Sequence, residues 1–404
     1  MTSRRPRLGV EKFSRRITPT QRYPALCDLG FMGFGTRAPL RAAFITSTPL
    51  NVREGSGTFV GITTLADALR RMGTQVDVIA PRKRLPIMTA GRLLFNASLV
   101  RRHWDDYDIT VGFDLDGYRI AGHSVPGHKP RPHVAAIKGV IADEMRFERG
   151  LTRASMSLQA QREARHVQRA DRVITTSRYS AERLKHYYGV AIEPGIVPEM
   201  IDLTAWRDVL RQESLAQDPA KFVVLCVCRL YRRKRVELLL HAAAELQARI
   251  PGFELRIAGE GPELNTLQRL WRSLELGPAV RWLGTLDRRQ LAREYGRCDV
   301  FCLPSVQEGF GIVFLEAMAA LRPIVAARAA AAPEVVPHAL VVEPESDRAL
   351  AQALETLYRR PDLRQSIATS GATLVEQYDA PRVAGLFLAE LERLAGRFTV
   401  AQGA

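Results

Sequence analysis

Residues 299–321 read DVFCLPSVQEGFGIVFLEAMAAL, and this stretch decides the fold. Asp299 to Ser305 is an apolar run of strand length that closes on a proline and a serine. The turn-forming segment Glu308-Gly309-Phe310-Gly311 follows. Ile312 to Leu321 then carries one polar residue, Glu316, and has no hydrophilic face, which predicts a buried helix. Strand, glycine-punctuated turn and buried helix in that order belong to a right-handed crossover in a parallel sheet. Glu316 is the exception inside it. An ionised carboxylate among aliphatic side chains costs several kcal/mol unless a partner compensates it. Glu308 lies upstream, at the glycine-bounded start of the same helix. One reading has Glu308 capping the loop and Glu316 paired with a structural arginine. Two acids at this spacing, with glycines between them, favour ligand binding, because carboxylates make strong charge-assisted bonds to hydroxyl groups.

The alternation continues outward in both directions. FVVLCVCRL (222–230) is nearly all apolar, as a central strand buried on both faces must be. Further strands are predicted at 253–259, 279–284, 323–327 and 339–344, with helices at 236–249, 263–275 and 287–296, and three helices close the chain. The first half repeats the scheme. Strands are predicted at RAAFITS (41–47), 75–81, 108–114, HVAAIKG (133–139) and 171–177, and helices at 58–72, 152–170 and 178–188. Gly55 and Gly57 fall in the loop after the first strand. PGIVPEMID (194–202), rich in proline and without period, suits an interdomain hinge. The expected organisation is a flexible basic extension over 1–40, one doubly wound α/β domain over 41–198 and a second over 199–380. A helix at about 381–397 is placed to pack back on the first domain. Met32, just before the first strand, is a second candidate start of translation.

At 404 residues, 46% hydrophobic and 25% charged, the chain suits two soluble domains, each large enough for its own core. No run approaches the 18 or so apolar residues of a membrane span. Basic and polar residues interrupt every candidate secretory segment near Met1. The five cysteines (Cys27, Cys226, Cys228, Cys298, Cys302) lack metal-ligand spacing and predict reduced core thiols in a cytoplasmic protein. The net charge of +15 sits almost wholly in residues 1–200, which suggests an anionic partner for that half; codon bias toward arginine is the competing source. Nucleic acid is not indicated, since no aromatic-interleaved basic motif accompanies the charge. A nicotinamide dehydrogenase is excluded by the missing glycine fingerprint after the first strand.

Other residues carry chemistry. Arg229 closes the central strand and Lys234 follows in the next loop, so both can face a diphosphate at the strand ends. Arg232, Arg233 and Arg235 read as a solvated basic turn. The free N–H groups and positive dipole end near Gly311 and Ile312 form a natural anion site. Asp114-Leu115-Asp116 has the spacing of a metal-binding Asp-x-Asp, but Asp before Gly at a strand end reads better as a turn. Residues 85–104, preceded by Arg82-Lys83-Arg84, mix leucines with Arg92, Arg101 and Arg102, the composition of an interfacial helix; an ordinary packing helix with snorkelling arginines is the alternative.

These segments resemble retaining glycosyltransferase family 4. Glu308 to Ala319 match its E-G-F-G-x-x-x-x-E-A-M-A element, Arg229 and Lys234 its G-R-L-x-x-x-K stretch, and Ala258 to Pro262 its A-G-x-G-P turn. The resemblance covers roughly residues 41–397 and implies the GT-B fold, two Rossmann-like domains facing a central cleft. It implies a donor site of Arg229, Lys234, Gly309, Phe310, Gly311, Ile312 and Glu316, with Glu316 on the ribose, and Glu308 contacting the transferred sugar. Gly55 and Gly57 would approach phosphate and acceptor. Where many members carry a histidine near the donor sugar, this chain offers Lys138, at the end of HVAAIKG; His133 lies at the strand's other end. Glu199-Met200 replaces a common Asn-Gly, Leu321 a usual glycine and residues 328–332 a glycine pair.

The expected activity is retaining, metal-independent transfer from a UDP- or GDP-linked sugar, as substrate and not cofactor, to a hydroxyl acceptor: a sugar, glycolipid or polysaccharide. An anionic inner membrane face is a further expected partner. The alternatives are a GT-B epimerase and a catalytically degenerate sugar-nucleotide-binding scaffold.

Overall fold

Two all-parallel six-stranded sheets organise the molecule, a computed structural model that describes residues 38–49, 52–82, 87–122, 131–213 and 217–396. The first contains β1 (Arg41–Ile45), β2 (Gln75–Ile79), β3 (Ile109–Phe113), β4 (His133–Ile137), β5 (Arg172–Thr175) and β6 (Gly195–Ile196), in the order β2-β1-β3-β4-β5-β6. The second contains β7 (Phe222–Val227), β8 (Phe253–Ala258), β9 (Val280–Gly284), β10 (Val300–Leu303), β11 (Ile324–Ala327) and β12 (Leu340–Val342), in the order β12-β11-β10-β7-β8-β9. Crossover helices cover both faces, so β3, β4, β10 and β11 are buried along their whole length. This is the α/β, doubly wound architecture that the strand–turn–helix reading predicts.

Strand order reverses between β1 and β3 in the first sheet and between β7 and β10 in the second. Ligands of open α/β sheets bind at the carboxyl ends of the strands at such switch points. Phe44 of β1 makes edge contacts with Phe113 at 5.2 Å and with Phe387 at 6.1 Å. Phe387 belongs to the last helix, Ala380–Leu394, whose Val383, Ala384 and Leu391 also enter the core of the first half. The chain therefore passes between the halves twice, and the two passages are stitched together: Ile201 N–H donates to the Tyr378 carbonyl at 3.0 Å, and Ala380 N–H to the Ile201 carbonyl at 2.9 Å.

One expectation needs correction, and one is refined. The helix predicted to begin near residue 58 runs over Val52–Arg71, so Gly55 and Gly57 sit on helical turns and not in a loop. Burial of Ile62, Leu65, Ala66 and Leu69 holds the helix body firmly enough to extend it through glycines that each cost about 1 kcal/mol. The predicted hinge holds β6, whose two residues pair with Ile174 and Thr175 and show no period of their own. Met32, Cys27, Lys83, Arg84 and nearly all of the predicted 1–40 extension lie outside the described residues; Leu40 is buried and already part of the fold.

Candidate active site

The strand ends of both sheets open on one cleft with a cavity of about 480 Å³. On the side of the second sheet, Arg229 follows β7 and Lys234 lies in a single tight turn, Arg232–Lys234; both line the cavity. Lys234 is buried, and its ammonium donates to Oε1 of Glu308, which also accepts the Ser305 hydroxyl at 3.0 Å. Buried charges persist when paired and hydrogen-bonded, and this pair meets both conditions. Arg233 is no solvated residue. Its side chain is 13% exposed, its guanidinium stacks on Tyr231 at 4.6 Å, and it pairs with Glu144 of the opposite wall at 3.3 Å. Arg235 is likewise paired, with Glu237 and Glu345.

Gly311 opens the helix Ile312–Ala319 at φ +90, a conformation L side chains avoid; a Cβ there would lie 2.7 Å from the Phe314 ring. Phe310 anchors the loop, buried and edge-on to Tyr378 at 5.5 Å, and lines the cavity together with Gly309, Gly311 and Ile312. Glu316, on the second helical turn, reaches the same cavity. Its Oε2 accepts the Tyr295 hydroxyl at 3.0 Å, a partner no local sequence signal betrays. Burial pushes the Glu316 carboxyl up to about 7, against the pull of the Tyr295 hydrogen bond and the Arg288 charge. Glu316 is thus held by a tyrosine, and among the described residues no arginine is bonded to its carboxylate.

On the opposite wall, Lys138 follows β4 and its ammonium lies 3.0 Å from Glu199, both about nine-tenths buried. Glu199 comes from the segment linking the halves, and Gly61 makes room for it, since a Cβ on Gly61 would sit 2.5 Å from Oε2. Sequence reasoning singled out Lys138 but not its partner. Gly57 lines the cavity. Gly55 falls in the first helical turn, where side chains are not described. Arg92 does not snorkel outward: Nε donates to the Ser47 hydroxyl and Nη1 to Gln159, each at 3.0 Å. His133 opens β4, at the end away from the cleft, and is buried.

The walls touch directly. The Gly309 carbonyl accepts hydroxyls of Ser177 (2.7 Å), Thr176 (3.2 Å) and Ser180 (3.3 Å), and a Cβ on Gly309 would lie 2.7 Å from the Lys138 carbonyl. The structure thus brings Glu308, Gly309, Phe310, Gly311, Ile312, Glu316, Arg229, Lys234, Lys138 and Gly57 to one cavity. Among the described residues, no group of three or more His, Cys, Asp or Glu forms a metal-binding cluster, and no helix is long and apolar enough to cross a membrane.

Comparison with known proteins agrees with this geometry. The profile of the family "Glycosyl transferases group 1" matches residues 210–373, and that of "Glycosyltransferase Family 4" matches residues 55–205. The chain belongs to glycosyltransferase family 4, with the GT-B fold. It is similar to a GDP-mannose-dependent alpha-(1-6)-phosphatidylinositol monomannoside mannosyltransferase of Mycolicibacterium smegmatis, 32% identical over 56% of this chain and 63% of that protein. A D-inositol 3-phosphate glycosyltransferase of Pseudarthrobacter chlorophenolicus is 31% identical over 56% of each chain. The chain therefore spans less than two thirds of the length of these relatives. Sucrose-phosphate synthase of Thermosynechococcus elongatus superposes with a TM-score of 0.75 at 21% identity, over 88% of this chain and 98% of the other, a likeness of fold.

Proposed function

We propose that the chain transfers a sugar from a UDP- or GDP-linked donor to a hydroxyl acceptor in polysaccharide, glycolipid or other glycoconjugate synthesis, keeping the α-anomeric configuration and using no metal. The observation that carries this reading is the convergence of Arg229, Lys234, Glu308, Glu316 and the Gly311 helix start on one wall, at the second sheet's switch point. Arg229, Lys234 and the helix start hold the diphosphate and stabilise the charge that develops as the bond from C1 of the sugar to phosphate oxygen breaks. Glu316 accepts ribose hydroxyls and Glu308 those of the transferred sugar. Lys138 faces the donor from the other wall. The acceptor oxygen bonds to C1 on the face the diphosphate leaves, and its proton passes to the departing phosphate oxygen. Contact between the walls at Gly309 limits attack by water. GDP-mannose, the donor of the mannosyltransferase relative, is the first donor to test.

The test is nucleotide release from GDP-mannose, UDP-glucose and related donors, with and without sugar and lipid acceptors, on wild type and Glu308→Gln. Acceptor-stimulated release in the wild type, reduced at least about a hundredfold in the variant, is expected. Equal rates in the two proteins count against the assignment of Glu308.

We place the enzyme in the cytoplasm, peripheral to the inner membrane face. The four described cysteines are buried free thiols, which suits a reducing compartment. Ile87, Met88, Leu94 and Val100 are exposed on and beside the helix Met88–Leu99, with Arg101 and Arg102 adjacent, a combination that favours an anionic interface. Flotation with anionic vesicles at low salt should carry the protein and neutral vesicles should not; no flotation with either rejects the membrane contact.

A further inference from the structure

The two halves of the molecule place a carboxylate at the same topological position, and in the first half it is Asp114. In each sheet the strand just across the switch point is β3 or β10. Glu308 follows β10, Asp114 directly follows β3, and both line the cleft. Asp114 and Asp116, similar in the sequence, have different duties. Asp116 is fully buried and engaged: it accepts the Ser47 N–H at 2.5 Å, the Ser47 hydroxyl and the Asn96 amide at 2.8 Å, with Arg92 at 3.7 Å. It ties the end of β1 to the turn after β3. Asp114 accepts the Lys138 backbone N–H at 2.9 Å through Oδ1 and borders the cavity between the ends of β1 and β4.

Asp114 also has φ +53, a left-handed conformation that is uncommon for any residue but glycine, though Asp adopts it more readily than most. A buried chain of hydrogen bonds holds it there. Nδ1 of His166 lies 2.5 Å from the Asp114 carbonyl, which can only accept, so Nδ1 carries the proton. Burial lowers the pKa of His133 and that of His166, the latter to about 4, so both rings are neutral. Nε2 of His166 must then accept from Nε2–H of His133 at 2.8 Å, and Nδ1 of His133 from the Thr110 hydroxyl at 2.7 Å. One arrangement of protons satisfies all three links. Such an investment at a residue of uncommon backbone conformation on a cleft wall marks a functional position.

We propose that Asp114 is the carboxylate that binds an acceptor hydroxyl beside the attacking one and so orients the acceptor, and that the Thr110–His133–His166 chain is the positioning device that fixes Asp114. The proposal rests on the transferase reading above. The ligand class is a polyol or sugar in which a hydroxyl beside the attacking one donates a hydrogen bond to the Asp114 carboxylate, while the attacking hydroxyl's own proton leaves with the phosphate. The groups facing Asp114 are Arg92, Asp116, Glu144, Glu163 and the Lys138 N–H. Burial outweighs the pull of Arg92 and raises the carboxyl to about 6. Acceptor recognition needs the ionised form, so it is complete above that pH and lost below it.

The experiment compares wild type with Asp114→Asn, which keeps an oxygen for the Lys138 N–H. GDP-mannose and UDP-glucose serve as donors, and myo-inositol and methyl α-mannoside as acceptors, from pH 5 to 8 at saturating donor. The expected result is an acceptor KM raised at least about tenfold in the variant, with nucleotide affinity and melting temperature unchanged. The acid limb near pH 6 in acceptor kcat/KM should disappear with it. An unchanged acceptor KM overturns the proposal. So does a parallel loss of nucleotide affinity and folding, which would make Asp114 structural. His166→Gln should raise acceptor KM without altering nucleotide affinity; an unchanged KM removes the positioning role. A wild type that binds nucleotide sugar but answers neither polyol counts against hydroxyl recognition at this wall. A wild type that binds no nucleotide sugar defeats the transferase reading itself.

Discussion

Glu316 shows what a single buried charge does in this molecule. Burial holds its carboxyl at about 7, so both forms are present near neutral pH, and in the proposed donor site only the ionised form accepts ribose hydroxyls as a charged partner. Donor affinity should therefore be full above pH 7 and decline below it, measurable as the pH dependence of the nucleotide Kd. The stability term runs the other way: a folded pKa above the unfolded 4.5 stabilises the empty protein below pH 4.5, and this contribution is lost as pH rises through about 7. Tyr295→Phe removes a hydrogen bond that lowers the Glu316 pKa, so the inflection should move upward and nucleotide affinity at pH 7 should fall several-fold. An inflection that does not move would show that Tyr295 is only core packing. The residue scale is also where sequence reading was least complete. Glu308, Glu316, Arg229 and Lys234 were visible because each lies in a contiguous strand–turn–helix stretch with its own pattern. Glu199 and Asp114 come to the cleft from separate elements, and Tyr295 supports Glu316 from the core behind it; Asp114 reads locally as a turn residue and the other two carry no local signal of their roles.

The elements follow apolar period closely, which is why nearly all strands and helices were legible. β7 and β10 are apolar throughout, and the helix Arg178–Tyr188 begins at a serine cap, Ser177, whose side chain accepts the Ser180 N–H. Where period fails, so does the reading: β6 is two residues long, and the glycines of Val52–Arg71 imitate a loop. The glycine replacements noted in the sequence have a structural counterpart. Leu321, just past the helix Ile312–Ala319, has φ +59, and Ala330 has φ +51, so both hold left-handed backbones without the residue that suits them. Leu321 is 55% exposed and gains little by burial. Leu321→Gly should stabilise the protein by about 1 kcal/mol and raise its melting temperature by a degree or more, as calorimetry can measure. A lower melting temperature would mean that the leucine contributes packing that outweighs the strain.

At the scale of the whole molecule, two similar sheets each contribute one switch point, and the cleft between them collects charges that neither half pairs fully alone. Arg233 reaches Glu144, the Gly309 carbonyl takes three hydroxyls from the other wall, and Arg178 N–H meets Glu334 at 3.0 Å. Both chain crossings between the halves run side by side at Ile201 and Ala380, and we propose that any opening and closing of the cleft pivots there. The central claim is that this cleft receives a nucleoside diphosphate on Arg229, Lys234 and the Gly311 helix start. Calorimetric titration of GDP and UDP into wild type and Lys234→Gln tests it most directly, because glutamine keeps a donor toward Glu308 and removes the charge. Saturable binding of at least one nucleotide, weakened tenfold or more in the variant, is predicted. No binding of either nucleotide, or equal affinity in the two proteins, would contradict it.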